Sequence, residues 1–535
     1  MSKLNPIMNL IYTMLLSLLS AILLSAGIPN EFFLHGNWVL GVVALFPLYT
    51  ALRYTATDRS APFAGALFLA AVHCMSSFWL ANFADFAIFT LGGSSLFYFF
   101  LGLPVGRILR EAVKRGGHLA PFTFAALWTL WEWVKSSGFL AYPWGTLVMA
   151  VTGAKPLIQI AEYTGTWGLS FILALIPACT AEYLLAGTSR TRLHGVSLSF
   201  TGALVLLILT QGGLKLTFPP QPEREVDLIL VQQNADPWVD DYRATIQASQ
   251  QLTRNSLNTR GKADLVVWSE SILNRPYEPN RAFYERIPEG DPFIPFMAEI
   301  DTPLLVGSPV LVNRESREYS NSVILVDPSG EQKDWYGKIQ LVSFAEYLPF
   351  TEYAIIRKFF DSLIGFSRGW IPGKEYKTME IMAKDGKPLR FATPICFEDA
   401  FSALCARLHL QGSELLINLT NDAWSRTDSA EMQHHAIALY RSIELRTTLV
   451  RSTNAGFTSV IDPTGTIIAS MPLFTAASMR VTAPVYPHTR TFYAVAGDWF
   501  PLMLLLIVSF FTARKLLLDR QHTHRYAHAH HNSGE

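Results

Sequence analysis

The sequence predicts a polytopic α-helical membrane domain of about eight spans joined to an α/β domain of layered sheets flanked by helices. Three observations predict it. Half of the 535 residues are apolar and the mean hydropathy is +0.23, high for a soluble enzyme. Eight stretches approach the roughly 20 apolar residues that a membrane crossing needs. Between the seventh and the eighth, LKLTFPPQPEREVDLILVQQN turns from a Pro-rich linker into short runs of β character.

The stretches fall near 7–27, 38–53, 61–81, 86–106, 119–138, 166–186, 196–215 and 494–513. The first is long, only Lys3 precedes it and more spans follow, so a retained helix is expected rather than a cleaved signal. Arg53 and Arg59 follow the second stretch, Arg107, Arg110, Lys114 and Arg115 the fourth, Arg190 and Arg192 the sixth, and Arg514, Lys515, Arg520 and Arg525 the eighth. The alternate links are nearly bare, with Lys155 alone in 139–165. Because Lys and Arg accumulate on the cytoplasmic side, both ends of the chain are expected there and the large segment outside. The expected layout is a membrane domain over 1–217, an extracytoplasmic domain over 218–493, a last span over 494–513 and a cytoplasmic His-rich tail over 514–535.

Within 218–493 the candidate strands are VDLILVQQ, DLVVWSE, PLLVGSP, NSVILVD, PLRFATPIC, ELLINLT, TTLVRSTN and FTSVIDP, with helical stretches such as AEMQHHAIALYRSIELR between some of them. DPSG (327–330) and DPTG (462–465) each read as a type I turn closing a hairpin. Hairpins mixed with crossover helices point to stacked sheets between helices. Lys plus Arg and Asp plus Glu both number 43, and no aromatic-studded basic patch occurs, which disfavours nucleic-acid binding. Cys74, Cys179, Cys396 and Cys405 are too scattered for a disulfide framework or a zinc site, and no metal or other cofactor is expected. The end HTHRYAHAHHNSGE reads as a disordered tail without catalytic role.

Two strands end on reactive groups. Glu270 closes DLVVWSE and Cys396 closes PLRFATPIC, and open α/β sheets carry their sites at such carboxyl ends. Between them lies WYGKIQLVSFAEYLPF, with Lys338 isolated among aromatic and aliphatic residues and Glu346 eight positions on. A free thiol has a pKa of about 8.5 and only its thiolate is strongly nucleophilic, so a base and a cation are needed to generate it. Glu270 suits the base and Lys338 the cation, which with a backbone N–H near Cys396 would also stabilise the oxyanion of an attacked acyl carbonyl. The product of such an attack is a thioester acyl-enzyme. Each residue also has a plain structural reading: a core thiol, a solvated acid, a surface lysine with its stem on apolar neighbours. Cys74 and Cys179 fall in predicted spans and Cys405 on a probable helix, where the structural reading holds.

WSES, YGKIQLVSFAEYLPF, ICFED, and LTNDAWSRTD with LRTTLVRSTNAGFTSVIDPTG resemble the nitrilase superfamily, and most closely its membrane-embedded branch, the apolipoprotein N-acyltransferases. LWEWVKSSGFLAYPWG in the membrane half is similar to that branch's Glu-Trp-x-Arg followed by Gly-Phe-Pro-Trp. The resemblance implies an αββα sandwich and acyl transfer at the outer face of the bacterial cytoplasmic membrane, by a protein expected to be monomeric. Cys396 would take an acyl chain from a glycerophospholipid, usually phosphatidylethanolamine, and pass it to the α-amino group of a diacylglyceryl-modified N-terminal cysteine on a lipoprotein. It implies Glu270 as general base, Lys338 as thiolate and oxyanion stabiliser, and Glu346, Phe397 and Glu398 as supporting residues. Trp238, in VQQNADPW, and Trp144, in AYPWG, are the candidate substrate-binding residues. Phe397 stands where the family often has tyrosine, and Lys135 where it has an arginine whose bidentate contact lysine cannot copy. The segment from Tyr347 to Trp370, with Phe350, Phe359, Phe360, Leu363, Ile364 and Phe366, reads either as a mobile apolar arm guarding acyl entry or as a buried loop and helix. Two further readings stand beside the transferase: a membrane-tethered amidase acting on small C–N bonds, and an inactive membrane scaffold.

Overall fold

The computed structural model describes residues 5–83, 88–187, 191–235, 240–351, 353–364 and 369–531. The first half is a helical bundle with large apolar residues on its outer surface as well as inside. Helix Pro6–Gly27 buries Thr13, Ser17, Ser20 and Ala21 and exposes Leu15, Leu19 and Ile22. Lipid supplies no drive to bury large apolar groups, whereas small residues let helices approach closely. Helices Ala61–Ser76 and Ser94–Arg115 cross at glycines for the same reason: a Cβ on Gly102 would lie 2.4 Å from Ala66 Cα, and one on Gly65 2.5 Å from Gly106 Cα.

Among the described residues, five helical segments are long and apolar enough to cross a membrane: Pro6–Gly27, Trp38–Thr55, Phe89–Arg115, Thr166–Leu185 and Arg192–Thr217. Ala61–Ser76 and Trp499–Arg514 are shorter apolar helices. The span expected at 61–81 stops at Ser76 and continues as the 3-10 helix Phe78–Asn82. That expected at 119–138 is helix Ala120–Lys135, which buries Glu132 against Ser170 Oγ and, at 2.8 Å, Leu147 N. The described part of the tail, to His531, corrects its reading as disordered: it continues helix Trp499–His531, over residues that include no proline or glycine after Pro501.

The second half contains two six-stranded sheets. The strands are β1 (Arg224–Gln232), β2 (Leu265–Val267), β3 (Leu304–Asn313), β4 (Glu318–Val326), β5 (Gln332–Gly337), β6 (Met379–Met382), β7 (Pro388–Ala392), β8 (Leu415–Thr420), β9 (Thr448–Thr453), β10 (Ser459–Ile461), β11 (Ile467–Ser470) and β12 (Ala477–Val485). Their orders are β12-β1-β2-β3-β4-β5 and β11-β10-β9-β8-β7-β6. Parallel pairing at β1-β2-β3 and β7-β8-β9 sets strand ends of each sheet side by side. Inner strands such as β2 and β8 are buried along their whole length because both faces are covered. Leu228, Leu230, Val267 and Leu305 share a core with Phe391 and Val450, while Ile229, Val231, Val266 and Val306 pack under helices Tyr242–Arg260 and Phe293–Ile300. The two DP-x-G turns close the β4-β5 and β10-β11 hairpins, with Gly330 and Gly465 at positive φ.

Helices Asp428–Ala438 and Tyr440–Leu445 dock the second sheet on the bundle. Gln433 Nε2 donates to Pro29 O and Ser76 O, both at 2.8 Å, and Tyr440 OH donates to Val148 O at 2.7 Å. One apolar core runs across this boundary, from Leu24, Trp128 and Val148 to Ile437.

Candidate active site

The ends of β2, β5 and β7 meet in one place. Beyond β2 the chain bends sharply, with Ser271 at φ +61°, and presents Glu270. The bend lies against Gly307 of β3, where a Cβ would stand 2.2 Å from Ser271 N and 2.6 Å from Glu270 Cα. Gly307→Ala is therefore expected to cost about 1–3 kcal/mol by overpacking and, by displacing the acid, to slow any reaction at this site by about 10² for a shift of 1 Å. Thermal unfolding and single-turnover kinetics on the same preparation check both effects.

Lys338 follows β5 and is fixed by its backbone: its N–H donates to Asn321 O at 2.8 Å, and its carbonyl accepts from Gly373 N at 2.7 Å. The side chain is buried, which removes its reading as a surface lysine. Nζ lies 2.8 Å from Glu346 Oε1 and 3.4 Å from Glu270 Oε1, and Asn321 Nδ2 donates to the same two oxygens at 2.8 Å each. Asn421 N donates to Glu270 Oε2 at 3.0 Å. Burial alone would lower the Lys338 pKa, but the Glu270 and Glu346 carboxylates outweigh it and hold the ammonium well above its ordinary value. Burial, opposed by Lys338 and reinforced by Glu346, raises Glu270.

Cys396 opens the 3-10 helix Cys396–Ala400 at φ +50°, partly exposed, in the left-handed region that costs a non-glycine residue about 1–3 kcal/mol and recurs at functional sites. Asn418 Nδ2 ties the turn from behind, donating to Pro394 O and Cys396 O at 3.0 Å each. The thiol lies within electrostatic reach of both Glu270 and Lys338. Burial, then the Glu270 charge, push its pKa well up, and Lys338 pulls the other way. At rest the Cys396 thiol, the Glu270 carboxylate and the Lys338 ammonium are thus gathered in one place.

Glu398 does not face the thiol. Its Oε1 accepts from Ile339 N (2.6 Å) and Gln340 N (3.0 Å), and its Oε2 from Ile395 N (2.8 Å), with Tyr336 OH within 3.2 Å of both oxygens. This buried acid, raised to about 7 by burial, clamps the segment carrying Lys338 to the turn carrying Cys396. Glu346 is tied both to Lys338 and to Val342 N (2.8 Å). The Phe397 ring stacks on Trp144, centroids 5.4 Å apart and planes 7° apart, so the bundle supplies one wall of the site. Lys135 Nζ donates to Trp144 O and lies 5.5 Å from the centre of the Tyr98 ring, in place of an arginine fork. Trp238 and Phe366 lie outside the described residues, as do the side chains of Phe359, Phe360, Leu363 and Ile364. In the described part of their segment Leu348 is buried while Phe350 and Ile355 are exposed, and Phe350 meets Phe139 of the bundle edge-on at 5.4 Å.

The sequence reading missed Asn321, Asp422 and His434. Asp422 follows β8 and places Oδ1 4.0 Å from Cys396 Sγ. Its Oδ2 lies 2.6 Å from His434 Nδ1, whose Nε2 is 2.8 Å from Asp399 Oδ1, and Asp399 Oδ2 accepts from Arg451 Nε at 3.0 Å. The Asn-Asp pair directly after an apolar strand was the available signal.

Residues 20–179 match the Apolipoprotein N-acyltransferase N-terminal domain and residues 230–482 the Carbon-nitrogen hydrolase family. Apolipoprotein N-acyltransferase 2 of Treponema denticola is 48% identical over 503 residues, covering 92% of this chain and 95% of its own. That of Treponema pallidum is 42% identical over 532 residues, covering 94% and 95%. The solved structure of Saccharomyces cerevisiae Nit3, of the nitrilase superfamily, aligns at 18% identity and TM-score 0.35, covering 51% of this chain and 94% of its own.

Proposed function

The chain belongs to the apolipoprotein N-acyltransferase family, and on that premise we propose that it carries an acyl chain from a membrane glycerophospholipid, as a Cys396 thioester, to the α-amino group of a lipoprotein's diacylglyceryl-cysteine. Glu270 takes the thiol proton as the thiolate attacks the donor ester. Lys338 and a backbone N–H of the Cys396 turn stabilise the oxyanion. Collapse breaks the ester C–O bond, and Glu270 returns the proton to the leaving lysophospholipid. In the second half the acceptor amine attacks the thioester, its proton passes to Glu270 and on to sulfur, and the thiol is restored.

The observation that supports this reading best is the Trp144–Phe397 stack. A residue of the helical bundle walls the position next to the nucleophile, as a reaction between two membrane-anchored chains requires and a soluble amide does not. No observation favours the amidase or the inactive scaffold. The loop charges support a site on the extracytoplasmic face of the bacterial inner membrane, with residues 218–493 outside, an eight-span membrane part over 1–217 and 494–513, and a cytoplasmic tail. The exposed Phe350, beside Phe139, and the exposed Ile355 support an arm at the acyl entrance.

Mass spectrometry of the purified protein incubated with phosphatidylethanolamine tests the reading. An acyl adduct is expected on the peptide containing Cys396, and it should chase onto the α-amine of a synthetic diacylglyceryl-cysteinyl peptide. An adduct on another residue, or release of free fatty acid in place of transfer, would overturn it.

A further inference from the structure

Resting on the reaction proposed above, we infer that Asp422 recognises the acceptor amine and stabilises the positive charge that develops on its nitrogen as it attacks the thioester, while His434 holds Asp422 in place for that task.

The two halves of the reaction make different demands. In the first, the nucleophile is an anion, and a carboxylate beside it is unhelpful. In the second, a neutral amine forms its N–C bond and its nitrogen becomes cationic before it loses a proton. An anion near sulfur then favours the step. Glu270 is the proton acceptor of this step, and its oxygens are otherwise held by Lys338 and Asn321 on one side and Asn421 N on the other. Glu346 is engaged in the same way by Lys338, Asn321 and Val342 N.

Asp422 is arranged differently. Its Oδ2 is bonded to His434, whereas its Oδ1 faces the nucleophile at 4.0 Å. The thioester carbon will be attached to that sulfur, so an amine attacking it arrives beside Oδ1, where an N–H···O bond of about 2.9 Å can form. Four groups fix the carboxylate's charge and direction. His434 sits between Asp422 and Asp399, Arg451 backs Asp399, and the Trp144 ring lies 5.6 Å from the imidazole. Burial would lower the His434 pKa, but Asp422 and Asp399 outweigh it and raise it to about 9, so the ring is an imidazolium at neutral pH and donates to both acids. Burial likewise would raise Asp422, and His434 reverses it, keeping the acid ionised. Asp422 is therefore not the base: the amine proton goes to Glu270, the C–S bond breaks, and the proton ends on sulfur. Asp422 touches the acceptor, and His434 acts through it as a positioning residue.

The two half-reactions are separable, which lets the test distinguish this proposal from the one beneath it. If the unaltered enzyme forms no Cys396 thioester from phosphatidylethanolamine, the proposed function fails and this inference with it. If it does, Asp422→Asn is expected to form the thioester within about threefold of the unaltered rate and to lose about 10²-fold in its aminolysis by the diacylglyceryl-cysteinyl peptide, so that acyl-enzyme accumulates. His434→Gln should lower the same step, and Asp422→Glu should recover part of the loss. Equal loss in both steps, or no loss in aminolysis, overturns the assignment. Should the variants not fold, the unaltered acyl-enzyme answers the question. An acceptor peptide whose amine is dimethylated, and so charged but unable to give a stable amide, should compete with the acceptor at least about tenfold better than the same peptide without its amine. Equal competition by the two overturns the proposal.

Discussion

Cys396→Ala is expected to abolish both the acyl adduct and transfer to the lipopeptide, leaving the folded protein otherwise intact. Removing a nucleophile from a working constellation lowers turnover by on the order of 10⁶, since the remaining groups have no bond to make. The fold should survive because the partly exposed thiol supplies little packing, and the turn is held by Asn418 and Glu398 rather than by sulfur. Cys396→Ser should keep the geometry and still form little ester, because Glu270 must then deprotonate a far weaker acid than a thiol. Cys74→Ser is the control: that cysteine lies exposed on helix Ala61–Ser76, and its loss should leave transfer unchanged. Intact-mass measurement after incubation with phosphatidylethanolamine, alongside lipoprotein maturation in cells carrying each variant, checks the three. Normal maturation with Cys396→Ala would remove the thioester from the mechanism.

The pattern of what the sequence revealed has a physical cause. The eight candidate strand runs correspond to β1, β2, β3, β4, β7, β8, β9 and β10, which are the interior strands of the two sheets. The four without a run of their own, β5, β6, β11 and β12, are the four edges. An interior strand such as β2, LVV, is covered on both faces and writes itself as a continuous apolar run, whereas an edge strand such as β6, MEIM, buries alternate residues only. The DP-x-G turns announced that β4 and β10 had hairpin partners without locating them. In the bundle, hydropathy located the helices but not their lengths, because a buried acid such as Glu132 ends no helix yet lowers the signal.

The site divides similarly. Glu270 and Cys396 end apolar strands, and Lys338 is a charge in an apolar setting, so each contrasts with its neighbours. Asp422 and His434 do not: an acid after a strand reads as a turn residue, and a histidine in AEMQHHAIA as a helix face. Only the pairing of β7, β8 and β9 brings Cys396, Asp422 and Arg451 together, and that pairing is not written in any local pattern. Glu398 shows the converse. The motif singled it out, and the structure gives it a role in holding two backbones together rather than in touching the reacting atoms.

Lys338→Met should be the most damaging single change to stability as well as to chemistry. The ammonium is buried and is the cation shared by Glu270 and Glu346, which Asn321 also bridges. Removing one partner of a buried ionic cluster costs about 3–5 kcal/mol, because the charges left behind have neither water nor a counter-ion. Glu270 and Glu346 should respond by taking up a proton, so the loss of stability should be greatest at high pH, where both are ionised, and shrink as the pH falls. The unaltered protein should show a weaker slope of the same sign, since Glu270 is already raised there and Lys338 opposes the rise. Adding Glu346→Gln should restore much of the unfolding midpoint by removing one orphaned carboxylate, but should not restore acylation, which would still lack the cation facing the oxyanion and fall by about 10²–10³. Thermal unfolding in detergent over a range of pH, paired with single-turnover thioester formation, separates the two effects. Recovery of acylation in the double variant would mean that Lys338 serves only to balance charge, and the oxyanion would then have to rest on the backbone N–H of the Cys396 turn alone.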